Sequence, residues 1–485
     1  MTTLPSGLPL AQDPYESQQL TIGVDQHLAL TRAHVLDAFY INEKASQFLP
    51  KPATNIRPYR RMTKDVQPTG SSSTLVAFGQ NIKFNIGNEG LPNLAAVEIH
   101  IELPKIVDSG AANLHPADGG YAGAATYINW VPYTGERFLG GGGEPLRWRY
   151  GTEVLRTYTC EGIHIKRQLT MDAEGTTKAA AYRNAVGALP DTCAAVRRYQ
   201  IALWMPHAPD EMNNHQLLPV QAFAQEFQIS WKVPTIAELV NSDIAATANM
   251  VVDPLGSSGP KVFARLHFVV TEKAERGTLA NMCLSSEGLG FQTMHIARET
   301  PTTVSGAGAQ TVTIDLKNSN NPCVFLAFGV RMLDDTAKHG DAGTNDTHVP
   351  ARTVGGLVKR HNWTNWHPWE SYQLFDGGSA ITDKRNYTDW VNSTCAGLSN
   401  YFPCDLGTYL GVIPFSDWPT VENHGLGHLS IATCTNPKLK IGLPAISTYD
   451  STEAGTSHIV DIFYFERNLV HMKDGNIIRS FNVSE

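Results

Sequence analysis

The fold is decided by three neighbouring segments of the chain: LGTYLGVIPF (406–415), HGLGHLSIATCTNPKLKIGL (424–443) and HIVDIFYFERNLVHM (458–472). Their apolar residues do not recur with a helical period. Turns rich in Gly, Pro, Asn and Asp separate them, and short β-rich runs bounded by such turns are typical of antiparallel sandwich strands. The sequence therefore predicts an all-β architecture in this part of the chain.

Strand patterns also occur throughout the preceding sequence. The clearest is AAVEIHIEL (95–103), in which every second residue from Val97 to Leu103 is apolar, and this predicts a strand with one wet face. Further predicted strands cover residues 73–79, 81–87, 126–131, 146–150, 163–169, 198–205, 226–232, 262–270, 310–316 and 323–333. Each half of the chain thus has about eight short strands, the number that a jelly roll requires.

Size and composition favour two globular β domains. At 485 residues the chain exceeds the size at which a single hydrophobic core stops growing. The hydrophobic fraction is 42% and the charged fraction 17%, which excludes a disordered or fibrous protein. The 41 Gly and 28 Pro favour a loop-rich β architecture. A formal net charge of −8 disfavours nucleic-acid binding through a general basic surface.

The seven cysteines are scattered and never follow a CxxC spacing. This pattern indicates neither a zinc ribbon nor a dense disulfide framework, so free and mostly buried thiols are expected. Cys395 and Cys404 form the only close pair, and a local disulfide between them is the alternative. Residues 1–20 lack the regions of a signal peptide, and no apolar run reaches the ~18–20 residues that span a bilayer. A soluble protein is therefore expected.

The linker-like segment NSDIAATANMVVDPLGSSGP (241–260) divides the chain into two predicted domains. Residues 1–25 are predicted to be an extended N-terminal arm, 26–250 the first jelly roll and 251–485 the second. Residues 334–405, rich in Asp, Gly, His, Asn and Trp, are predicted to form a tower-like insertion between strands. The two halves show no sequence repeat, so a duplication would survive only in the fold.

Several short motifs suggest chemistry, but each has a simpler structural interpretation. GGGG (140–143) is followed by Glu-Pro and not by the Lys-Ser/Thr of a phosphate-binding loop, so a flexible hairpin tip is expected. His424 and His428 have the spacing of a helical metal pair, but the glycines between them make a helix improbable. No nucleophile elbow and no catalytic triad stand out. We therefore predict no catalytic residues, no metal site and no cofactor.

The Trp-rich motif HNWTNWHPW (361–369) allows two interpretations. His361 and His367 with Trp363, Trp366 and Trp369 could form an aromatic platform for a ligand or glycan. The alternative, which the residue types favour, is packing within the insertion or a contact between subunits.

Five asparagines occur in N-x-S/T sequons, and four of them lie in the predicted insertion: Asn345, Asn362, Asn386 and Asn392. The fifth is Asn482. These sequons predict possible glycosylation on an outer surface. Polar loop residues without sugars are the alternative, because the chain shows no signal peptide.

Seven segments in chain order carry a resemblance to a known family. They are FNIGNEGLPNLAAVEIHIELPKI (84–106), YTGERF (133–138), LWMPHAPDEMNNHQLLPVQAFAQEFQISW (203–231), HFVVTEKAERG (267–277), NPCVFLAFGVR (321–331), the strands from GTYLGVIPF to KLKIGL (407–443) and NLVHMKDGNIIRSF (468–481). Together they resemble the major capsid proteins of nucleocytoplasmic large DNA viruses, the double jelly-roll lineage. YTGERF is similar to a hairpin of that family. Asn321 stands where the family usually has His, so the chain resembles a divergent member.

The resemblance implies a structural role without enzymatic activity. Three copies would form a pseudo-hexagonal homotrimeric capsomer, and the capsomers would tile an icosahedral capsid. The implied partners are further copies of the chain, penton proteins and minor capsid proteins, with an internal membrane contacted only indirectly and no specific nucleic acid. The implied location is the virion, after assembly in the host cytoplasm or a virus factory.

Two alternatives stay open at the level of sequence. A scaffold protein of poxvirus type would share the fold and the trimer but would leave the mature particle. A jelly-roll protein that binds or cleaves carbohydrate would instead use the Trp-rich motif. A carboxylate motif and a secretory signal, which that class would need, are missing.

Overall fold

The structure is a computed structural model in which the described residues all lie within Arg60–Arg479. They are residues 60–70, 73–87, 93–108, 128–171, 176–188, 193, 195–203, 205–206, 217–242, 250–253, 258–270, 280–281, 283–286, 288–306, 308–332, 366–391, 409–416, 427–445 and 457–479. The predicted arm (1–25) lies outside these residues. So do Cys395 and Cys404, and their possible disulfide stays a prediction.

The described part of the first half contains twelve strands. They are β1 (Arg60–Val66), β2 (Asn81–Ile86), β3 (Asn93–Leu103), β4 (Ile106–Asp108), β5 (Ile128–Trp130), β6 (Leu146–Tyr150), β7 (Glu153–Tyr158), β8 (Arg197–Leu203), β9 (Phe227–Lys232), β10 (Val240–Ser242), β11 (Met250–Val252) and β12 (Lys261–Val270). The alternation at 95–103 is confirmed in β3, where Val97, Ile99 and Ile101 are buried and the residues between them are partly exposed. Such alternation fits a sheet with one face on a core.

The second half contributes eleven more strands to the described structure. They are β13 (Leu289–Arg298), β14 (Thr302–Val304), β15 (Gln310–Asp315), β16 (Cys323–Met332), β17 (Ser371–Asp376), β18 (Ser379–Ala380), β19 (Arg385–Asn386), β20 (Gly411–Pro414), β21 (Pro437–Leu443), β22 (His458–Lys473) and β23 (Asn476–Arg479). The three segments that decide the fold thus provide β20, β21 and β22, as predicted.

Within the described residues, five α-helical segments lie between the strands. They are α1 (Thr134–Phe138), α2 (Cys160–Met171), α3 (Thr176–Val186), α4 (Ile236–Leu239) and α5 (Tyr387–Asp389). The short helix α4 begins at a capping box, in which the backbone N–H of Thr235 donates to Glu238 Oε2 at 2.8 Å. Of the five, α2 is the longest, and it lies between the two halves of the molecule.

Both halves have the same strand order. The main sheets of the first half are sheet I (β1-β12-β3-β8) and sheet II (β2-β9-β6-β7), and those of the second half are sheet III (β13-β22-β16-β20) and sheet IV (β15-β21-β17-β18). Counting the eight main strands of each half in chain order, the first sheet runs 1-8-3-6 and the second 2-7-4-5 in both halves. All of these pairings are antiparallel. This is the two-sheet arrangement of a jelly roll, so the predicted all-β double jelly roll is confirmed.

Each jelly roll has a hydrophobic core between its two sheets. The largest fully buried side chains of the first core include Phe84, Trp148 and Trp231, which alternate with outward polar residues along β2, β6 and β9. The second core contains Trp369 and Phe325, with Phe325 stacked on Phe465 at 4.1 Å between ring centroids. Large aromatic side chains therefore fill both sandwiches.

Two segments predicted as β structure are helical. Residues 163–169, predicted as a strand, belong to α2, and YTGERF (133–138), compared with a hairpin, contains α1. A third segment, 73–79, forms only an isolated bridge from Leu75 to Lys261. In α2 every residue from Cys160 to Arg167 is buried, polar residues included, and the alternation of Ile163, His164 and Ile165 resembles that of a strand.

The glycine run GGGG (140–143) is not the flexible hairpin tip expected from the sequence. It joins α1 to β6 and packs tightly: a Cβ on Gly141 would lie 2.2 Å from the carbonyl oxygen of Arg137, and one on Gly142 would lie 2.6 Å from that of Lys232. Glycine is required here because two stretches of backbone approach closely.

Two features bear on the predicted domain limits. Strand β12 follows the boundary at 250/251, yet it pairs with β1 and β3 of the first jelly roll. Strand β17 falls within the predicted insertion (334–405), yet it pairs with β21 in sheet IV over six residue pairs. The boundary and the tower-like shape of the remaining insertion stay predictions.

Candidate functional site at the junction of the two jelly rolls

The strand β22 passes through the cores of both jelly rolls. Its first part, which includes Val460 and Phe465, is buried in the second core and pairs with β16. Its last part, which includes Val470 and Met472, is buried in the first core. Because one 16-residue strand contributes side chains to both cores, the jelly rolls cannot separate without exposing apolar surface.

Helix α2 lies between the two jelly rolls. Ile165 is fully buried in the second core, whereas Ile163 is buried in the first. The helix approaches β13 so closely that a Cβ on Gly162 would lie 3.1 Å from Ile296 Cγ2. Helix α2 is therefore packed between the two sandwiches and contributes side chains to both cores.

A buried ionic network joins α2 to sheet III. Asp461, which is 0% exposed, accepts hydrogen bonds from Arg298 Nη2 at 2.5 Å and from Arg331 Nε at 2.6 Å. Arg298 also approaches Glu161 of α2, with Nη1 3.4 Å from Oε2. The other carboxylate oxygen of Glu161 lies 3.4 Å from Arg137 Nη1. We call these five residues the junction network.

The charges of the junction network stabilise one another. Burial by itself raises the pKa of Glu161, but the guanidiniums of Arg298, Arg137 and Arg331 outweigh it and hold that pKa well below its usual range. The pKa of Arg298 is raised, since the carboxylates of Glu161 and Asp461 outweigh its burial. A carboxylate removed from this network would leave buried guanidinium charge uncompensated.

The thiol of Cys160 borders the network but is not an activated nucleophile. It accepts a hydrogen bond from Arg137 Nη1 at 3.3 Å and donates one to Glu161 Oε2 at 3.1 Å. Burial, together with the carboxylate of Glu161, raises its pKa to about 12, so the thiol stays protonated. All five described cysteines are free and four are buried, which confirms the prediction for those five.

Two further contacts tie the jelly rolls together. Arg156 of β7 donates from Nη1 to the Met205 carbonyl at 2.7 Å and from Nη2 to the Met294 carbonyl at 2.6 Å, so it links β7 to β13. The Tyr150 hydroxyl donates to the Gly475 carbonyl at 3.0 Å and holds the β22–β23 turn against the first jelly roll. Hydrogen bonds from buried groups fix geometry as well as adding stability.

The outer face of sheet I is charged but internally compensated. Glu102 lies 2.8 Å from both Arg198 Nε and Lys261 Nζ, and these two hydrogen bonds lower its pKa. Asp65 forms a bidentate pair with Arg265 at 2.8 and 3.0 Å. Each of these carboxylates has its cation on a neighbouring strand, so its charge is compensated within the chain.

The structure places Trp366 and Trp369 of the Trp-rich motif in the second core. Trp366 is 5% exposed and Trp369 is 2% exposed, and Trp369 Nε1 donates to the Tyr409 carbonyl at 3.0 Å. Their faces are therefore covered and cannot serve as a glycan platform. His367 is also buried, and its backbone N–H donates to the Val330 carbonyl at 2.7 Å. His361 and Trp363 fall outside the described residues.

Of the predicted glycosylation sites, the structure describes only Asn386. It is exposed, and its Oδ1 accepts the N–H of Asp389 at 2.7 Å, so it caps α5. Asn345, Asn362, Asn392 and Asn482 lie outside the part of the chain that is described. Glycosylation at these positions stays a prediction.

The described residues offer neither a metal site nor a membrane-spanning helix. Among the described residues, no group of three or more His, Cys, Asp or Glu side chains is arranged to hold a metal ion. His428 is exposed, and His424 falls outside the described residues. No described helix is long and apolar enough to cross a membrane.

Comparison with known proteins finds likeness in structure rather than in sequence. No protein-family model matches the chain, and no curated protein sequence matches it. A chain of the PBCV-1 virus capsid superposes with a TM-score of 0.62 at 13% identity, covering 90% of this chain and 100% of that one. The Faustovirus major capsid protein gives 0.56 at 8% identity, covering 90% and 96%.

A chain of the Sputnik virophage gives a TM-score of 0.52 at 9% identity, covering 90% of this chain and 92% of that one. These likenesses cover 90% of this chain and therefore extend over both jelly rolls. At such low identity they establish the fold, which is the double jelly roll that the sequence predicted.

Proposed function

We propose that this chain is a structural protein of a viral capsid, built for self-association and not for catalysis. The observation that carries the proposal is the joining of two jelly rolls with the same strand order by β22, α2 and the junction network. Two similar sandwiches held in a fixed relation make a rigid building block, and a rigid block can tile a surface. The structural likeness to capsid chains supports the same role.

In this proposal three copies form a pseudo-hexagonal homotrimer. Each copy supplies two jelly rolls, so six jelly rolls surround the three-fold axis and imitate a hexagon. Such trimers would pack into an icosahedral capsid in the virion, with penton and minor capsid proteins as further partners. Contacts between capsomers would be weaker and more polar than the cores of the subunits.

The test is the mass of the purified protein in solution, measured by light scattering, with negative-stain images of the same peak. A particle of about three times the monomer mass with a hexagonal outline would support the proposal. A monomer at every concentration would contradict it. The scaffold alternative predicts the same trimer, and the protein content of purified virions distinguishes the two, because a scaffold leaves the mature particle.

A further inference from the structure

The outer side of three of the four strands of sheet II concentrates positive charge, whereas the fourth, β7, is buried except at Glu153. In β2, β9 and β6 the apolar residues point into the first core, and every other residue points outward. Four of the outward residues are cations, namely Lys83, Arg147, Arg149 and Lys232. The other four are Asn81, Asn85, Gln228 and Ser230. We call these eight positions the basic face.

The strand register brings the four cations close together. Ser230 lies between Lys83 on one neighbouring strand and Arg147 on the other. Gln228 likewise lies opposite Arg149, and Lys232 is two residues beyond Ser230 on the same side of the sheet. Neighbouring strands are about 4.8 Å apart and same-face residues about 7 Å apart along a strand. The cations therefore act on one another as a group.

The positive charge of the basic face is not compensated within the described chain. None of its eight outward residues is acidic, and none of its four cations forms an ion pair with another described residue. Sheet I differs, because Glu102 and Asp65 there neutralise the cations of neighbouring strands. Like charges on adjacent strands destabilise an isolated sheet. An anionic partner would remove that repulsion.

The residue types of the basic face indicate the class of partner. Single-stranded nucleic acid is bound with the help of aromatic platforms, but the aromatic residues of these strands point inward. Membrane surfaces are bound with the help of apolar side chains, and none points outward from β2, β9 or β6. Amides and a hydroxyl interleaved with cations suit the carboxylates of a protein surface.

A second copy of this chain has the required charge. The formal net charge of the chain is −8, so the residues outside the basic face carry a still larger negative excess. We propose that the basic face binds a carboxylate-rich surface of a neighbouring copy. This inference rests on the proposed function, in which flanking faces of the jelly rolls meet other subunits. It adds which face does so and by which chemistry.

The experiment compares two double variants of the full chain. Lys83→Gln/Lys232→Gln removes two charges from the basic face, and Lys438→Gln/Lys440→Gln removes two from the outer face of sheet IV. Arg147 is left unchanged because its Nε is buried. Light scattering over a concentration series gives the dissociation constant of assembly, and thermal unfolding gives the stability of each variant.

The basic-face variant should weaken assembly about tenfold or more, since each lost charge-assisted contact costs about a factor of ten. At a protein concentration too low for assembly, its unfolding temperature should equal or exceed that of the wild type, because repulsion within the face is relieved. Wild-type assembly should also weaken as the salt concentration rises from about 0.05 to 0.5 M. The sheet IV variant should assemble as the wild type does.

Four results would overturn the inference. Assembly of the basic-face variant with wild-type affinity and salt dependence would refute it and leave the proposed function intact. Equal weakening by the sheet IV variant would show a general effect of charge. Binding of a short labelled DNA by the wild type, lost in the basic-face variant with assembly unchanged, would assign the face to nucleic acid. A wild-type chain that stays monomeric refutes both proposals.

Discussion

Replacing Asp461 by Asn should be among the most destabilising single changes in the molecule. Asp461 is fully buried and holds Arg298 and Arg331 through contacts of 2.5 Å each. The Asn side chain keeps the shape but removes the charge. The buried Arg331 and the 24% exposed Arg298 both lose the counter-charge of Asp461, although Glu161 still faces Arg298. Removing one partner of a buried ion pair costs about 3–5 kcal/mol, and we expect a loss of unfolding free energy of that size.

The matched control is Asp65→Asn on the outer face of sheet I. Asp65 also binds an arginine, Arg265, but its side chain is 50% exposed and that of Arg265 36%. Water screens such a pair, so the control should cost about 1 kcal/mol or less. The two variants remove the same charge and differ mainly in burial.

Denaturant unfolding followed by circular dichroism gives the free energy of both variants, provided that the slope of the transition is unchanged. Hydrogen exchange adds a local measurement, since amides of β13 and β22 should exchange faster in Asp461→Asn than in Asp65→Asn. If the two variants lose the same small free energy, the junction network does not hold the jelly rolls together and the reasoning above is wrong.

Three further predictions follow from other parts of the structure. Burial and the neighbouring His367 lower the pKa of His458 to about 4, so the neutral imidazole is favoured in the folded state. The stability that His458 contributes as a neutral group should be complete above pH ~6.5 and should fall by up to about 3 kcal/mol as the pH drops toward 4. In thermal unfolding measured at several pH values, His458→Gln should reduce this dependence of stability on pH. Gly329→Ala should lower the free energy of unfolding by about 1–3 kcal/mol, because the new Cβ would lie 2.1 Å from the Trp366 ring. Its control is Gly308→Ala, which should leave the free energy of unfolding nearly unchanged in the same assay, because nothing lies within 4 Å of the new Cβ. Because β22 belongs to both cores, calorimetry should show one cooperative unfolding transition, and two separate transitions would contradict the shared strand.

The strands with one wet face could be predicted from the sequence. In β3 and β9, apolar and polar residues alternate because one side faces a core and the other side faces outward. Strand β17 was missed because Tyr372 and Leu374 are its only two fully buried apolar residues, within a segment rich in turn-forming residues. Alternation over so few positions does not rise above its surroundings.

The junction could not be predicted in the same way. The residues of the junction network are far apart in the sequence, and each looks like an ordinary charged residue of a strand or turn. Their meeting depends on how α2 inserts between two sandwiches, which is a property of the tertiary structure. Helix α2 contains a strand-like alternation, because His164 lies between Ile163 and Ile165, and its polar residues are buried with the apolar ones instead of marking a wet helical face.

The position of β22 has a consequence for synthesis of the protein on the ribosome. In sheet III this strand lies between β13 and β16, which are made more than a hundred residues earlier. Until residues 458–473 emerge, both of those strands present unpaired edges, and the first core lacks Val470 and Met472. Open strand edges invite pairing with other chains. A chain interrupted before this point lacks the strand that joins β13 to β16, and its first core lacks two apolar side chains, so both sandwiches stay incomplete.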